Sequence, residues 1–66
     1  MKMETIIEGT TKERIDRVDK IMEAGFNSGA LCKSETECNE RFRLNLLYAA
    51  SDNNLLWFEK SYGVKP

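Results

Sequence analysis

Two thiols and a group of carboxylates are the side chains of this 66-residue sequence that could carry out chemistry. Cys32 and Cys38 are its two cysteines, and the chain contains no histidine. Histidine therefore cannot serve as a general acid, a general base or a metal ligand here, and two thiols alone do not complete a zinc site. Small secreted proteins usually carry several pairs of cysteines, so we expect free, reduced thiols; a bridge between Cys32 and Cys38 is the alternative.

Three glutamates, Glu35, Glu37 and Glu40, lie close together in the sequence. Acid–base catalysis by paired carboxylates requires a cleft that shifts their pKa values, and a chain this short has little room for one. The start of a helix also favours acidic residues on electrostatic grounds alone. The spacing of Gly25 and Gly29 matches neither a P-loop nor a dinucleotide-binding motif. We therefore expect no enzymatic activity, no cofactor and no metal site.

The charge balance bears on nucleic-acid binding. Ten lysines and arginines against eleven acidic residues give a net charge of −1, without the basic excess that neutralises phosphates. We do not expect a nucleic-acid ligand. The alternative is a small dimeric DNA-binding transcriptional regulator, in which Arg41, Asn45 and Asn39 would form the exposed face of a recognition helix. The acidic residues in the first turns of that helix argue against this alternative.

The apolar residues are not arranged for a membrane. The longest unbroken run of large apolar residues, Leu55 to Phe58, has four residues, and no unbroken apolar run approaches the length that spans a bilayer. Glu4 and Glu8 interrupt the first residues, which is not typical of a secretory signal peptide. The sequence predicts a cytoplasmic protein that does not enter membranes.

The first helix is predicted from a capping box and from apolar residues spaced three and four apart. Thr10 and Glu13 form the box, and the helix is expected over about residues 11–24 with Gly25 ending it. Its apolar face comprises Ile15, Val18, Ile21 and Met22, of which Ile15, Val18 and Met22 are expected to be buried, and its charged residues should lie on the opposite face.

Two further helices are predicted after a connecting loop. Ser34 and Glu37 form a second capping box, which indicates a helix over about 35–50. Its second half is apolar nearly all round, so it is either the central helix of the fold or faces a partner. Residues 51–54 are poor helix formers and favour a break, followed by a third helix over about 53–62 that ends at Gly63.

The predicted fold is all-α, a small three-helix bundle in a single domain over residues 1–66. Residues 1–9 alternate between apolar and polar types and would form an extended arm or an edge strand. If they pair as a strand, the class becomes α+β.

The apolar residues Leu55 to Phe58, near the C-terminus, indicate a role in binding. Four consecutive large apolar residues on a helix point in four directions, so the core cannot bury all of them. Leu55 and Phe58 share the face that we assign to the core, and Trp57 then points mostly outward. We predict a non-enzymatic protein–protein interaction module: a small cytosolic adaptor, regulator or inhibitor of a larger protein, of the kind that phages and mobile elements encode. The partner is a protein, a second copy of the chain, or both, and the predicted partner-binding residues are Trp57, Leu56, Tyr62, Tyr48 and Leu47.

Overall fold

The computed structural model describes residues 10–65, which form three helices: α1 (Lys12–Ser28), α2 (Thr36–Tyr48) and α3 (Asp52–Tyr62). The prediction of an all-α three-helix bundle is confirmed, and no strand occurs between residues 10 and 65. The expected arm or edge strand at residues 1–9 lies outside the described residues.

Helix α1 begins one residue later and ends four residues later than predicted. Its N-cap is Thr11 rather than Thr10, and the Thr11 hydroxyl accepts a hydrogen bond from the backbone N–H of Arg14 over 3.1 Å. The residue that ends the helix is Gly29, whose φ of +86° suits a glycine and whose N–H donates to the carbonyl of Phe26. Thr10 and Thr11 are equally good caps, so the sequence alone could not distinguish them.

Gly25 does not end α1, as the sequence had suggested, but lies buried within it. A Cβ at this position would lie 2.5 Å from Cδ1 of Leu31 and 3.1 Å from Cε2 of Tyr62. The glycine is therefore required by close packing and not by a left-handed backbone. Its carbonyl also accepts the N–H of Leu31 over 2.9 Å, which fixes the return of the chain after the helix.

Helix α2 is shorter than predicted at both ends. Its N-cap is Glu35, with no side-chain capping bond, so the expected capping box of Ser34 and Glu37 does not form. The Ser34 hydroxyl instead lies 3.0 Å from Sγ of Cys32. The helix ends at Tyr48 because the carbonyl of Asn45 accepts the N–H groups of both residues that follow, over 2.8 and 2.9 Å.

The predicted break before α3 is confirmed. Ser51 caps the helix through a reciprocal pair of bonds with Asn54, each 3.2 Å long, and Gly63 ends the helix with a φ of +79°. Both ends of α3 are thus capped by local interactions, through Ser51 and Asn54 at the start and Gly63 at the end.

The core forms around α1, against which α2 and α3 each pack. Val18 and Met22 are buried as predicted, and Ile15 is half-buried at the edge. The central helix is therefore α1, and the interpretation of α2 as the central helix is wrong. Among the described residues, six form the buried core: Val18, Ile21, Met22, Leu46, Leu47 and Leu55.

Candidate functional site

Between residues 10 and 65, four large apolar side chains are exposed. Trp57 and Leu56 on α3 are 61% and 48% exposed, and Tyr48 and Leu44 on α2 are 54% and 41% exposed. The sequence predicted the first three of these as binding residues and missed Leu44. Exposed side chains of this kind, and tryptophan and tyrosine above all, are typical of protein–protein contact surfaces.

The other two predicted binding residues, Leu47 and Tyr62, are less exposed than these four. Leu47 is 2% exposed and belongs to the core, so it offers no surface to a partner. Tyr62 is half-buried and packs against the core beside Gly25. Burial also raises the pKa of the Tyr62 hydroxyl above its ordinary value. Both residues support the fold, and only the outer part of Tyr62 is accessible.

Trp57 is held in place by a cluster of aromatic rings. Its ring lies perpendicular to that of Phe58, with the centroids 5.0 Å apart. Phe58 in turn meets Phe42 edge to face at 5.1 Å and Tyr62 at 5.5 Å, and it packs against the core. Edge-to-face contacts are favoured by the quadrupoles of the rings. The exposed indole thus packs against a half-buried phenylalanine that contacts all three other rings.

Basic side chains surround the apolar surface of α3. A cleft of about 350 Å³ is lined by Leu56, Lys60, Val64 and Lys65, with Glu59 at its edge. Glu59 is turned toward α1, where its carboxylate accepts two hydrogen bonds from Arg17. The charges left at the rim are therefore those of the two lysines. We use the name Trp57 surface for the exposed side chains Leu56, Trp57, Lys60 and Lys65.

A second cleft, of about 400 Å³, lies between α1 and α2. Met22 and Phe26 contribute apolar side chains to its lining, and acidic and basic residues alternate around them. An ion pair of 3.7 Å between Asp19 and Arg43 joins the two helices at this cleft. Its charges balance one another, unlike the lysines of the Trp57 surface.

Three arginines are engaged in contacts within the chain. Arg14 donates to the carbonyls of Leu46 and Ala50 at the end of α2 and to the carboxylate of Asp52. Arg17 pairs with Glu59, and Arg43 with Asp19. The sequence predicted only that the charged residues of α1 lie on the face opposite its buried one. Spacing along one helix cannot reveal carbonyls and carboxylates supplied by other helices.

The side chains that could take part in chemistry do not come together at one site. Cys32 and Cys38 are free and exposed, as expected. The hydrogen bond from Ser34 lowers the pKa of the Cys32 thiol. Residues 10–65 contain no cluster of three or more histidine, cysteine, aspartate or glutamate side chains able to hold a metal ion. Over the same residues, no helix has the length and apolar character to cross a membrane.

Comparison with known proteins finds no relative. Models of protein families, curated proteins and solved structures give no significant match to this chain.

Proposed function

We propose that this protein is a non-enzymatic interaction module, a small cytoplasmic adaptor, regulator or inhibitor that binds a larger protein through the Trp57 surface. The observation that carries the proposal is the 61% exposure of an indole that packs against Phe58. Tryptophan is the residue type most enriched among side chains that dominate binding energy.

The aromatic cluster supports binding because it reduces the entropy cost of forming a contact. A flexible exposed side chain loses rotamer freedom when a partner immobilises it. The Trp57 ring is already packed against Phe58, which is itself packed against Phe42 and Tyr62. An apolar pocket on a partner would therefore receive an indole that is held in place before the encounter.

The chemistry of the surface also specifies the kind of partner. Lys60 lies one helical turn from both Leu56 and Trp57, and Lys65 lines the same cleft as Leu56. The matching partner surface has an apolar pocket for the indole and carboxylates at its margin. Such opposite charges at a rim accelerate association and contribute little to the final affinity.

A protein partner is better supported than DNA. Arg14, Arg17 and Arg43 are engaged by carbonyl or carboxylate groups of the same chain. Of the residues suggested for a recognition face, Asn39 donates its side-chain amide to the carbonyl of Cys32 over 2.7 Å. These four side chains are therefore less available to contact phosphates or bases.

The experiment compares affinity capture by the wild-type chain, Trp57→Ala and the control Asn53→Ala, which changes an exposed polar residue on the same helix. We expect a partner that the wild type and the control retain and that Trp57→Ala loses. Titration of the purified partner should then show a loss of affinity of about 30-fold for Trp57→Ala. Since Trp57 is the one tryptophan of the chain, a blue shift of its emission will report burial in the complex.

A melting curve distinguishes a binding role from a structural one. Trp57→Ala should melt close to the wild type because most of the indole is exposed. Lys60→Glu combined with Lys65→Glu should slow association with the partner, with an effect that decreases at high salt. Equal capture by the wild type and Trp57→Ala, or a large fall in melting temperature for Trp57→Ala, would contradict the proposal.

A further inference from the structure

The outer side of α2 carries a second stripe of exposed residues, distinct from the Trp57 surface. Glu37, Arg41, Leu44 and Tyr48 follow one another at spacings of four, three and four, the repeat of a coiled-coil seam. With about 100° per residue, they fall within about 60° of one another and lie opposite the buried Leu46. All four are exposed, and we call them the outer stripe of α2.

From this stripe we infer that the chain self-associates by antiparallel pairing of α2 with α2 of a second copy. We place the two-fold axis perpendicular to α2, at the height of the peptide bond that joins Phe42 to Arg43. Arg41 then lies opposite Leu44 of the second copy. The same axis places Glu37 opposite Tyr48 of the second copy. Each pairing occurs twice, as a two-fold interface requires.

The two pairings are chemically complementary. The aliphatic stem of Arg41 covers Leu44 of the second copy, and its guanidinium reaches the ring face of Tyr48 in a cation–π contact. The Tyr48 hydroxyl can donate to the carboxylate of Glu37. A parallel arrangement would instead place Arg41 against Arg41 and Glu37 against Glu37, with like charges in contact. The stripe is polar at one end and apolar at the other, which favours the antiparallel form.

The charges of the outer stripe of α2 and of the whole chain also favour a second copy as its partner. Within residues 10–65, neither Glu37 nor Arg41 takes part in an ion pair, so both are available to another chain. A net charge of −1 gives little repulsion between copies. The seam from Glu37 to Tyr48 is about 17 Å long, which is small for a stable interface. We expect a weak dimer, with a dissociation constant between about 1 μM and 1 mM.

Sedimentation equilibrium of the full chain, at protein concentrations from about 1 μM to 1 mM, provides the test. Leu44→Lys should raise the dissociation constant of the dimer by about tenfold or more. Leu56→Lys is the matched control because Leu56 is similarly exposed, lies outside the stripe and undergoes the same change of charge. A chain that remains monomeric at 1 mM, or a control that weakens the dimer as much as Leu44→Lys, overturns the inference.

Disulfide trapping tests the register. In a Cys32→Ser, Cys38→Ser background, chains with Arg41→Cys are mixed with chains with Leu44→Cys in a glutathione redox buffer. The antiparallel register predicts that the mixed disulfide forms in preference to either homodimeric one. Preference for the Leu44→Cys homodimer contradicts it. The outcome is independent of the proposed function, since Trp57→Ala should leave self-association unchanged.

Discussion

Arg17 on α1 and Glu59 on α3 are joined by two parallel hydrogen bonds between their planar head groups. Nε of Arg17 donates to Oε2 over 3.0 Å, and Nη2 donates to Oε1 over 3.1 Å. This hydrogen bonding raises the pKa of the arginine further above its already high value. Glu59 lies one turn from the buried Leu55, so the pair joins α1 to the core-facing side of α3, while Leu56 and Trp57 are exposed.

Replacement of Arg17 should reduce stability because the Glu59 side chain, 20% exposed, would lose its partner. We expect Arg17→Ala to lower the free energy of unfolding by about 1–2 kcal/mol. Arg17→Lys should restore less than half of this loss, since an ammonium group cannot form the paired bonds. Urea unfolding of both variants measures the effect, with Lys20→Ala as the exposed control on the same helix. A loss for Lys20→Ala equal to that for Arg17→Ala would show that the ion pair contributes nothing specific.

The elements of this fold could be predicted from the sequence because their signals are local. Helix periodicity, the break at Ser51 and the glycine that ends α3 depend on residues within one or two turns of each other. The core positions Val18 and Leu55 followed from the same periodicity. Capping residues were ambiguous where two candidates were adjacent, as at Thr10 and Thr11, which displaced the predicted start of α1 by one residue.

The parts that could not be predicted depend on contacts between distant residues. Gly25 looks like the end of a helix until Leu31 and Tyr62 pack against it. The second half of α2 is apolar on several sides, and only its packing against α1 decides that Leu47 is buried and Leu44 exposed. The site was predicted in part for the same reason: Trp57 could be assigned from its own helix, whereas Leu47 could not.

Gly25→Ala should destabilise the protein although alanine is the better helix former. The added methyl would lie 2.5 Å from Cδ1 and 2.8 Å from Cγ of Leu31, which must move. Overpacking of this kind costs about 1–3 kcal/mol, and the helix propensity of alanine offsets up to about 1 kcal/mol. We expect a net loss of about 1 kcal/mol by chemical denaturation.

A double-mutant cycle identifies the cause of that loss. In a Leu31→Ala background the side chain that collides with the new methyl is gone, so Gly25→Ala should become neutral or stabilising. If Gly25→Ala costs the same in both backgrounds, contact with Leu31 is not the reason for the glycine.

Cys32 should react with alkylating agents faster than an isolated thiol at neutral pH. The hydrogen bond from Ser34 stabilises the thiolate and lowers the pKa of Cys32, and the side chain is exposed. The rate is measured in a Cys38→Ser background, where Ser34→Ala should slow alkylation. An unchanged rate in Ser34→Ala would contradict this role of the hydroxyl. Cys32→Ser combined with Cys38→Ser should leave the fold nearly unchanged.

Tyr62 should make the stability of the protein depend on alkaline pH. Burial raises the pKa of its hydroxyl above the ordinary value of 10.0, because the phenolate is poorly solvated in the folded chain. Well below pH ~10 the hydroxyl is protonated in both states and contributes no pH dependence. As the pH rises past that value, the unfolded chain releases its proton first and is stabilised relative to the folded chain. Stability is therefore expected to fall as the pH rises from about 9 through the pKa of folded Tyr62.

Tyr62→Phe tests this dependence because it keeps the ring that packs beside Gly25 and Phe58 and removes the titrating group. Urea unfolding at a series of pH values should show a smaller alkaline loss for Tyr62→Phe than for the wild type. Tyr48→Phe is the matched control, since it removes the same hydroxyl from an exposed tyrosine; a smaller alkaline loss in Tyr62→Phe than in Tyr48→Phe assigns the effect to the buried hydroxyl. All other side chains are common to the wild type and Tyr62→Phe, so the difference between their curves isolates Tyr62. Identical curves for the wild type and Tyr62→Phe would mean that burial of this hydroxyl does not affect its ionisation.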